Sequence, residues 1–379
     1  MVVSRLPRTR LTFDHSRNAC KREGLPRIYP VFLDADRGSD SLWLMGLILS
    51  KRPRRNRKSE SVRRMVRETV LFPENLVWPV FVHDEPDDTD IPSMPGVQRL
   101  SLRSLLRACE DALKFGIPAI AIFPCIDPSL KDPSGSHSLS PDNLLFRAVR
   151  EVRSRFPELT VVTDVALDPY TSHGHDGILN SDGLSVDNDA SVALLAKLAV
   201  MEAQAGADFV APSDMMDGRI GEIRKALDEN GNAEVGVIAY SAKYASSLYG
   251  PFRDAVGSKA GPASICKATY QMDPANRDEA IREVLLDIEE GADIVMVKPA
   301  SYYLDVIRDI SEISEVPVAG YQVSGEFSQI HAAGRMGWLD YERKRDESLV
   351  AIKRAGARII FTYFAREVAE GICRGRGCR

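Results

Sequence analysis

Glu290-Gly-Ala-Asp-Ile-Val-Met-Val-Lys298-Pro299 reads as a helix end, a glycine stop and a buried strand that runs out on a lysine. Glycine at such a stop accepts the left-handed backbone that terminates a helix before the next strand. The same lead-in recurs at Ala205-Gly-Ala-Asp208 and at Ala355-Gly-Ala-Arg358. From residue 70 onward, short β-branched runs alternate with amphipathic helical stretches, the pattern of βα units and a parallel sheet. Strands are expected at Leu76–Val82, Ala119–Pro124, Thr160–Leu167, Asp208–Pro212, Glu234–Ser241, Asp293–Lys298, Val316–Val323 and Arg358–Tyr363. Eight strands with intervening helices fit a TIM (β/α)8 barrel, whose catalytic residues lie at the C-terminal strand ends. A doubly wound open sheet is the main rival, but no G-x-G-x-x-G follows the first strand.

The chain has 379 residues, 44% hydrophobic and 27% charged, the balance of a globular protein with one large domain and an extension. Its formal net charge of -5 argues against nucleic acid as the main partner. The apolar run Leu42–Leu49 is too short for a bilayer, which needs ~20 residues, so no membrane partner is expected. The six cysteines include no C-x-x-C pair, which favours a reducing compartment. A bacterial cytoplasm is the expected location, with a plastid the alternative. Residues 1–60 lack sustained periodicity and close on the basic segment Lys51–Lys58. They read either as a solvated tail or as an arm that orders on another subunit. The domain division expected is 1–70 for this extension and 71–379 for the barrel.

Two lysines sit at strand ends, Lys298 and Lys243, the latter closing Val237-Ile-Ala-Tyr-Ser-Ala-Lys243. A lone lysine is ordinarily a solvated charge. Two at the same end of successive strands point to a poorly solvated site. There desolvation and a neighbouring ammonium favour the neutral amine that forms a Schiff base with a ketone. The third strand leads into a run holding Asp164, Asp168, His173, His175 and Asp176. These are turn formers, metal ligands or general bases, and oxygen donors without cysteine favour Mg2+ over Zn2+. Ser213 and Asp214 end the fourth strand, either orienting substrate or capping a helix. Arg253, Lys259 and Lys267 are cations in a loop over the barrel mouth, where a substrate carboxylate would suit them. Asp273-Pro274 is expected to open a helix, with Ile281, Val284, Leu285 and Ile288 as its buried stripe and Glu283 on its solvated face. Ser324 and Tyr363, at the ends of the last two strands, can donate into the mouth.

Thr171-Ser-His-Gly-His-Asp-Gly177, Ala211-Pro-Ser-Asp-Met-Met-Asp-Gly-Arg219, Tyr240-Ser-Ala-Lys243, Tyr249-Gly-Pro-Phe-Arg253, Met296-Val-Lys-Pro299 and Tyr321-Gln-Val-Ser-Gly-Glu326 follow one another in the order of a known family. Over about residues 52–370 the chain resembles the porphobilinogen synthases, also called 5-aminolevulinate dehydratases. The resemblance implies a TIM barrel that condenses two 5-aminolevulinate molecules to porphobilinogen, with loss of two waters, in tetrapyrrole biosynthesis. It implies Schiff bases at Lys298, for the substrate supplying the propionate arm, and at Lys243, for the one supplying the acetate arm. Arg253, Lys267 and Gln271 would hold the acetate-side carboxylate, and Ser324 and Tyr363 the propionate-side one. Asp164 and Ser213 would contact the amino-group side. Zinc-dependent members carry three cysteines where this chain has Ala166, Asp168 and Asp176, so the resemblance is to a Mg2+-responsive branch without a thiolate zinc site. In that branch an allosteric Mg2+ lies at a subunit interface, and Glu283 matches its carboxylate ligand. Asp168 and Asp176 either bind an active-site metal or polarise substrate. The family's octamers, with an N-terminal arm on a neighbouring subunit, imply a homo-octamer here with residues 30–70 as the arm.

Two other classes fit parts of the pattern. A class I aldolase would need only Lys298. A barrel that merely binds a ligand would have no use for both lysines together with Arg253.

Overall fold

The computed structural model describes residues 49–258 and 266–376. Lys259, residues 42–48 of the apolar run and residues 30–48 of the expected arm lie outside the described residues. The chain divides into two units, Met1–Glu68 and Thr69–Arg379. In the first, the described segment holds a 3-10 turn at Pro53–Arg57 and a helix at Glu60–Met65. Ser59 starts that helix, its Oγ accepting from the Val62 amide at 3.3 Å.

The second unit is built on eight parallel strands among the described residues: β1 (Leu76–Val82), β2 (Ala119–Pro124), β3 (Thr160–Val165), β4 (Phe209–Pro212), β5 (Gly236–Lys243), β6 (Ile294–Lys298), β7 (Val318–Gln322) and β8 (Ile359–Thr362). Each pairs with the next, and β8 pairs back onto β1 through Leu76↔Ile360 and Val77↔Phe361, which closes the barrel. A small antiparallel pair, Thr89–Asp90 with Gln98–Leu100, is added to the end of β1. The three Gly-Ala lead-ins behave as their sequence requires. Gly206, Gly291 and Gly356 have φ of 113°, 103° and 133°, where a side chain would be strained.

Apolar residues at helical spacing hold the outer helices to the barrel. Ile220, Ile223 and Leu227 of Arg219–Glu229 are buried, each contributing ~1.5–3 kcal/mol of burial energy. Inside, rings fill the C-terminal half of the lumen. Phe81 stacks on Tyr363 at 5.7 Å between centroids and Tyr321 on Phe361 at 5.3 Å.

Three local expectations need correction. Strand β5 runs to Lys243 rather than stopping at Ser241. Its pairing with β6 goes from Ala239↔Val295 to Ala242↔Val297, so β5 spends one more residue than its partner. That bulge keeps the strand paired beyond the point where simple alternation would have ended it. The helix expected to open at Asp273-Pro274 instead begins at Asp278. Asp273 accepts from the Ala275 amide at 2.8 Å, forming a turn of its own. The buried face of that helix is Ala280, Val284 and Asp287, with Leu285 exposed. The helix is rotated because Asp287 turns inward to the buried Arg219 guanidinium, 3.2 Å away.

Candidate active site

Lys243 and Lys298 are direct cross-strand partners at the C-terminal ends of β5 and β6. The bulge is what makes them so. Tyr240 faces the lumen, since its ring lies 4.8 Å from Lys298 Nζ. Strict alternation would then turn Lys243, three residues on, toward the helix layer. One extra residue restores the parity, and both side chains are buried in the lumen.

Their surroundings differ. Lys243 Nζ donates to the Ser213 carbonyl and lies 3.4 Å from Asp176 Oδ1. Lys298 Nζ is surrounded by the rings of Tyr240, Tyr249, Phe252 and Tyr321, at 4.6 to 5.4 Å from their centroids. Burial first, and the Lys243 ammonium second, push Lys298 down to about 7, against the pull of Asp164. A lysine of ordinary pKa is neutral about once in 2,500 at pH 7. With its pKa brought this far down, Lys298 gives up its proton far more readily than an ordinary lysine, which favours the nucleophilic form.

The carboxylates sort in the same way. Asp176 is buried, and burial alone would raise it, but the ammoniums of Lys243 and Lys267 hold it well below the usual range. Lys267 Nζ is 2.8 Å from its Oδ2, and the Tyr270 hydroxyl donates to the same oxygen at 2.8 Å. Burial pushes Asp164 up to about 7, with Lys298 opposing. Burial and the neighbouring Asp176 raise Asp168. His175 shares a hydrogen bond with the Tyr270 hydroxyl at 3.0 Å, and burial with Lys267 pushes it down to about 4. His173 sits further out, its Nε2 3.1 Å from the Pro133 carbonyl.

One cleft is lined by Lys243, Lys298, Asp168, Asp176, Ser213 and Arg253, with Lys267 and Gln271 completing its rim. Gln271 Oε1 is buried with no hydrogen-bond partner among the described residues. Ser324 and Tyr363 do not border this cleft directly. Ser324 Oγ accepts from the Phe252 amide at 2.9 Å, and the Tyr363 hydroxyl lies 3.1 Å from that of Tyr321. Each therefore reaches Lys298 through a ring that surrounds it. Ser213 and Asp214 cap no helix: the cap of Arg219–Glu229 is Gly218. Glu283 is half-buried and lines a second cleft with Asp217, Asp273 and Glu279.

Sequence reasoning passed over the aromatic wall and the role of Tyr270. Tyr240, Tyr249 and Tyr321 all stand inside quoted motifs, and the signal was their recurrence beside each lysine or strand end. Phe252 stands in the same quoted motif as Tyr249, and its ring is brought in by the helix Gly250–Ala255.

The family profile of delta-aminolevulinic acid dehydratase matches residues 50–371. The chain belongs to the delta-aminolevulinic acid dehydratase family. The dehydratase of Bradyrhizobium diazoefficiens is 54% identical over 325 residues, 86% of this chain and 91% of the relative. That of Chlamydia pneumoniae is 49% identical, covering 88% of this chain and 99% of the relative. The chloroplastic enzyme of Physcomitrium patens is 49% identical over 87% of this chain and 76% of its own length. Among solved structures, the Toxoplasma gondii ME49 dehydratase, in complex with the reaction product porphobilinogen, superimposes with a TM-score of 0.84. It is 46% identical, covering 86% of this chain and 92% of that one.

Proposed function

We propose that this dehydratase, which condenses two 5-aminolevulinate molecules to porphobilinogen in tetrapyrrole biosynthesis, works through Schiff bases at both Lys243 and Lys298. The observation that carries the reading is the direct pairing of two buried amines at adjacent strand ends. Each amine adds to a ketone carbon, and the ketone oxygen leaves as water, so two imines account for the two waters released. A protonated imine withdraws electrons from the neighbouring carbon, which loses a proton and attacks the second carbonyl-derived centre. Closure of the ring through a substrate amino group expels the lysine on the carbon it attacks, and the other lysine leaves by elimination as the adjacent carbon gives up a proton. Asp164, pushed up to about 7, titrates where it can take or return that proton.

For binding, Arg253, Lys267 and Gln271 are our candidates for the acetate-side carboxylate, Ser324 and Tyr363 for the propionate side, and Ser213 with Asp164 for the amino-group side. The rim that Gln271 and Lys267 share with the Arg253 guanidinium supports the first group. Lys267 would have to exchange Asp176 for substrate.

The Lys243→Ala variant tests the reading against a class I aldolase. Borohydride with 5-aminolevulinate should still trap Lys298, while porphobilinogen formation collapses. Normal turnover in that variant would refute the two-imine scheme.

A metal at Asp176 fits poorly, because its oxygens already serve Lys243, Lys267 and Tyr270. No step is assigned to an active-site metal. Glu283 fits better. Burial and then Asp287, with Asp217 and Glu279 adding, raise its carboxyl against the pull of Arg219. A divalent cation would relieve such crowding, and Mg2+ needs only one or two protein carboxylates beside its waters. We assign Glu283 to an allosteric Mg2+. We also propose a homo-octamer held by residues from the N-terminal extension. An unchanged octamer by light scattering after deletion of residues 1–70 would rule that out. No described helix is long and apolar enough to cross a membrane. The higher identity to the Bradyrhizobium diazoefficiens protein, from an organism without plastids, supports a cytoplasmic location, with the plastid of the Physcomitrium patens relative the alternative.

A further inference from the structure

Lys298 is secured differently on its two flanks. Toward β5 it is in register with Lys243, and its carbonyl accepts from the Tyr244 amide at 2.9 Å and the Tyr249 hydroxyl at 3.1 Å. Toward β7 the ladder ends at Val297↔Gly320, one residue short of it. Beyond that point a single side chain takes over. Glu326, in the first turn of helix Ser324–Arg335, is buried. Its Oε1 accepts from the Ser301 amide at 2.6 Å and its Oε2 from the Val323 amide at 2.6 Å. One carboxylate thus ties the turn that leaves Lys298 to the residue that follows β7.

The residues beside it serve the same corner. A Cβ on Gly325 would stand 2.5 Å from the Leu248 carbonyl oxygen and 2.6 Å from its Cα, so the helix start packs directly on that backbone. Ser324 Oγ donates to the Leu248 carbonyl at 3.3 Å and accepts from the Phe252 amide at 2.9 Å. Tyr249 and Phe252, on either side of these contacts, are two of the rings around the Lys298 ammonium.

We propose that Glu326 is a positioning residue for Lys298, its carboxylate substituting for the missing β6–β7 ladder and fixing the direction in which the amine enters the lumen. The inference rests on the reading of Lys298 as a Schiff-base nucleophile. The chemistry requires a carboxylate, because two amides must be accepted at once. Glutamine offers one acceptor and turns its NH2 toward the other amide, leaving a buried donor unsatisfied. Aspartate keeps both acceptors but is one methylene short and reaches one amide.

The test uses the full-length enzyme and the Glu326→Gln and Glu326→Asp variants. Turnover of 5-aminolevulinate is measured together with borohydride labelling of each lysine, read by peptide mass, and with thermal unfolding. A misplacement of about 1 Å costs roughly 10²-fold in rate. Glu326→Gln is therefore expected to lower kcat by about 10- to 100-fold with KM changed less than about threefold. Labelling of Lys298 should slow by a similar factor while that of Lys243 changes little, and Glu326→Asp should recover part of the loss. Unchanged kcat and Lys298 labelling in Glu326→Gln overturns the proposal. So does an equal loss of labelling at both lysines, which is what a general loosening of the barrel would give. If Glu326→Gln fails to fold, the same contrast between the lysines in Glu326→Asp decides. Absence of Lys298 labelling in the unsubstituted enzyme would instead refute the Schiff-base reading itself.

Discussion

Replacing Lys243 by Gln removes one positive charge from the lumen and leaves a donor for Asp176 and the Ser213 carbonyl. Lys298 should respond, because the Lys243 ammonium is the second cause of its lowered pKa. Adjacent strands stand roughly 5 Å apart. Two unit charges at about that distance, in an effective dielectric of ~20, repel by about 3 kcal/mol. Asp176 attracts Lys298 in parent and variant alike and cancels from the difference, so the Lys298 midpoint shifts by up to about two pH units. The sign is fixed. With the ammonium gone the protonated form of Lys298 is less disfavoured, so its midpoint moves up from about 7. The assay is borohydride trapping of Lys298 with 4-oxopentanoate, the substrate without its amino group, followed across pH by peptide mass. The Lys243→Gln midpoint should lie roughly one to two pH units above the parent, with trapping at pH 7 slowed about five- to fiftyfold. A midpoint that stays put or moves down would show that burial alone sets the amine, and the argument from paired charges would fail.

Three further outcomes are expected. In the parent enzyme kcat/KM should rise with pH through about 7, where Lys298 loses its proton; a rise confined to pH near 10 would contradict a lowered pKa. Asp176→Asn leaves the buried Lys243 and the half-buried Lys267 ammoniums without their carboxylate. Breaking such a pair costs about 3–5 kcal/mol, and urea unfolding at pH 7 that shows less than ~1 kcal/mol would count against the assigned role. Glu283→Gln should abolish stimulation when Mg2+ is restored after chelation, while turnover without added metal persists; retained stimulation places the ion elsewhere.

The barrel was legible because its signals are local. Glycine stops before strands and β-branched runs of strand length do not depend on distant partners, and strands β1 and β2 fall where those runs do. Both lysines were legible for the same reason. What the sequence withheld depends on contacts far apart in the chain. The rotation of helix Asp278–Glu289 follows from Arg219, 68 residues before Asp287. The assignment of Asp176 to two ammoniums and a phenol depends on Lys243, Lys267 and Tyr270, more than 60 residues downstream. The bridge made by Glu326 was invisible because a Glu three residues into a helix reads as an ordinary first-turn acid.

The added residue in β5 bears on how such a catalyst can arise. Cross-strand neighbours share a face of the sheet, so a regular β5 one residue shorter would still set its lysine opposite Lys298 and inside the lumen. The bulge absorbs the extra residue, so a longer strand keeps the two amines side by side instead of turning one outward.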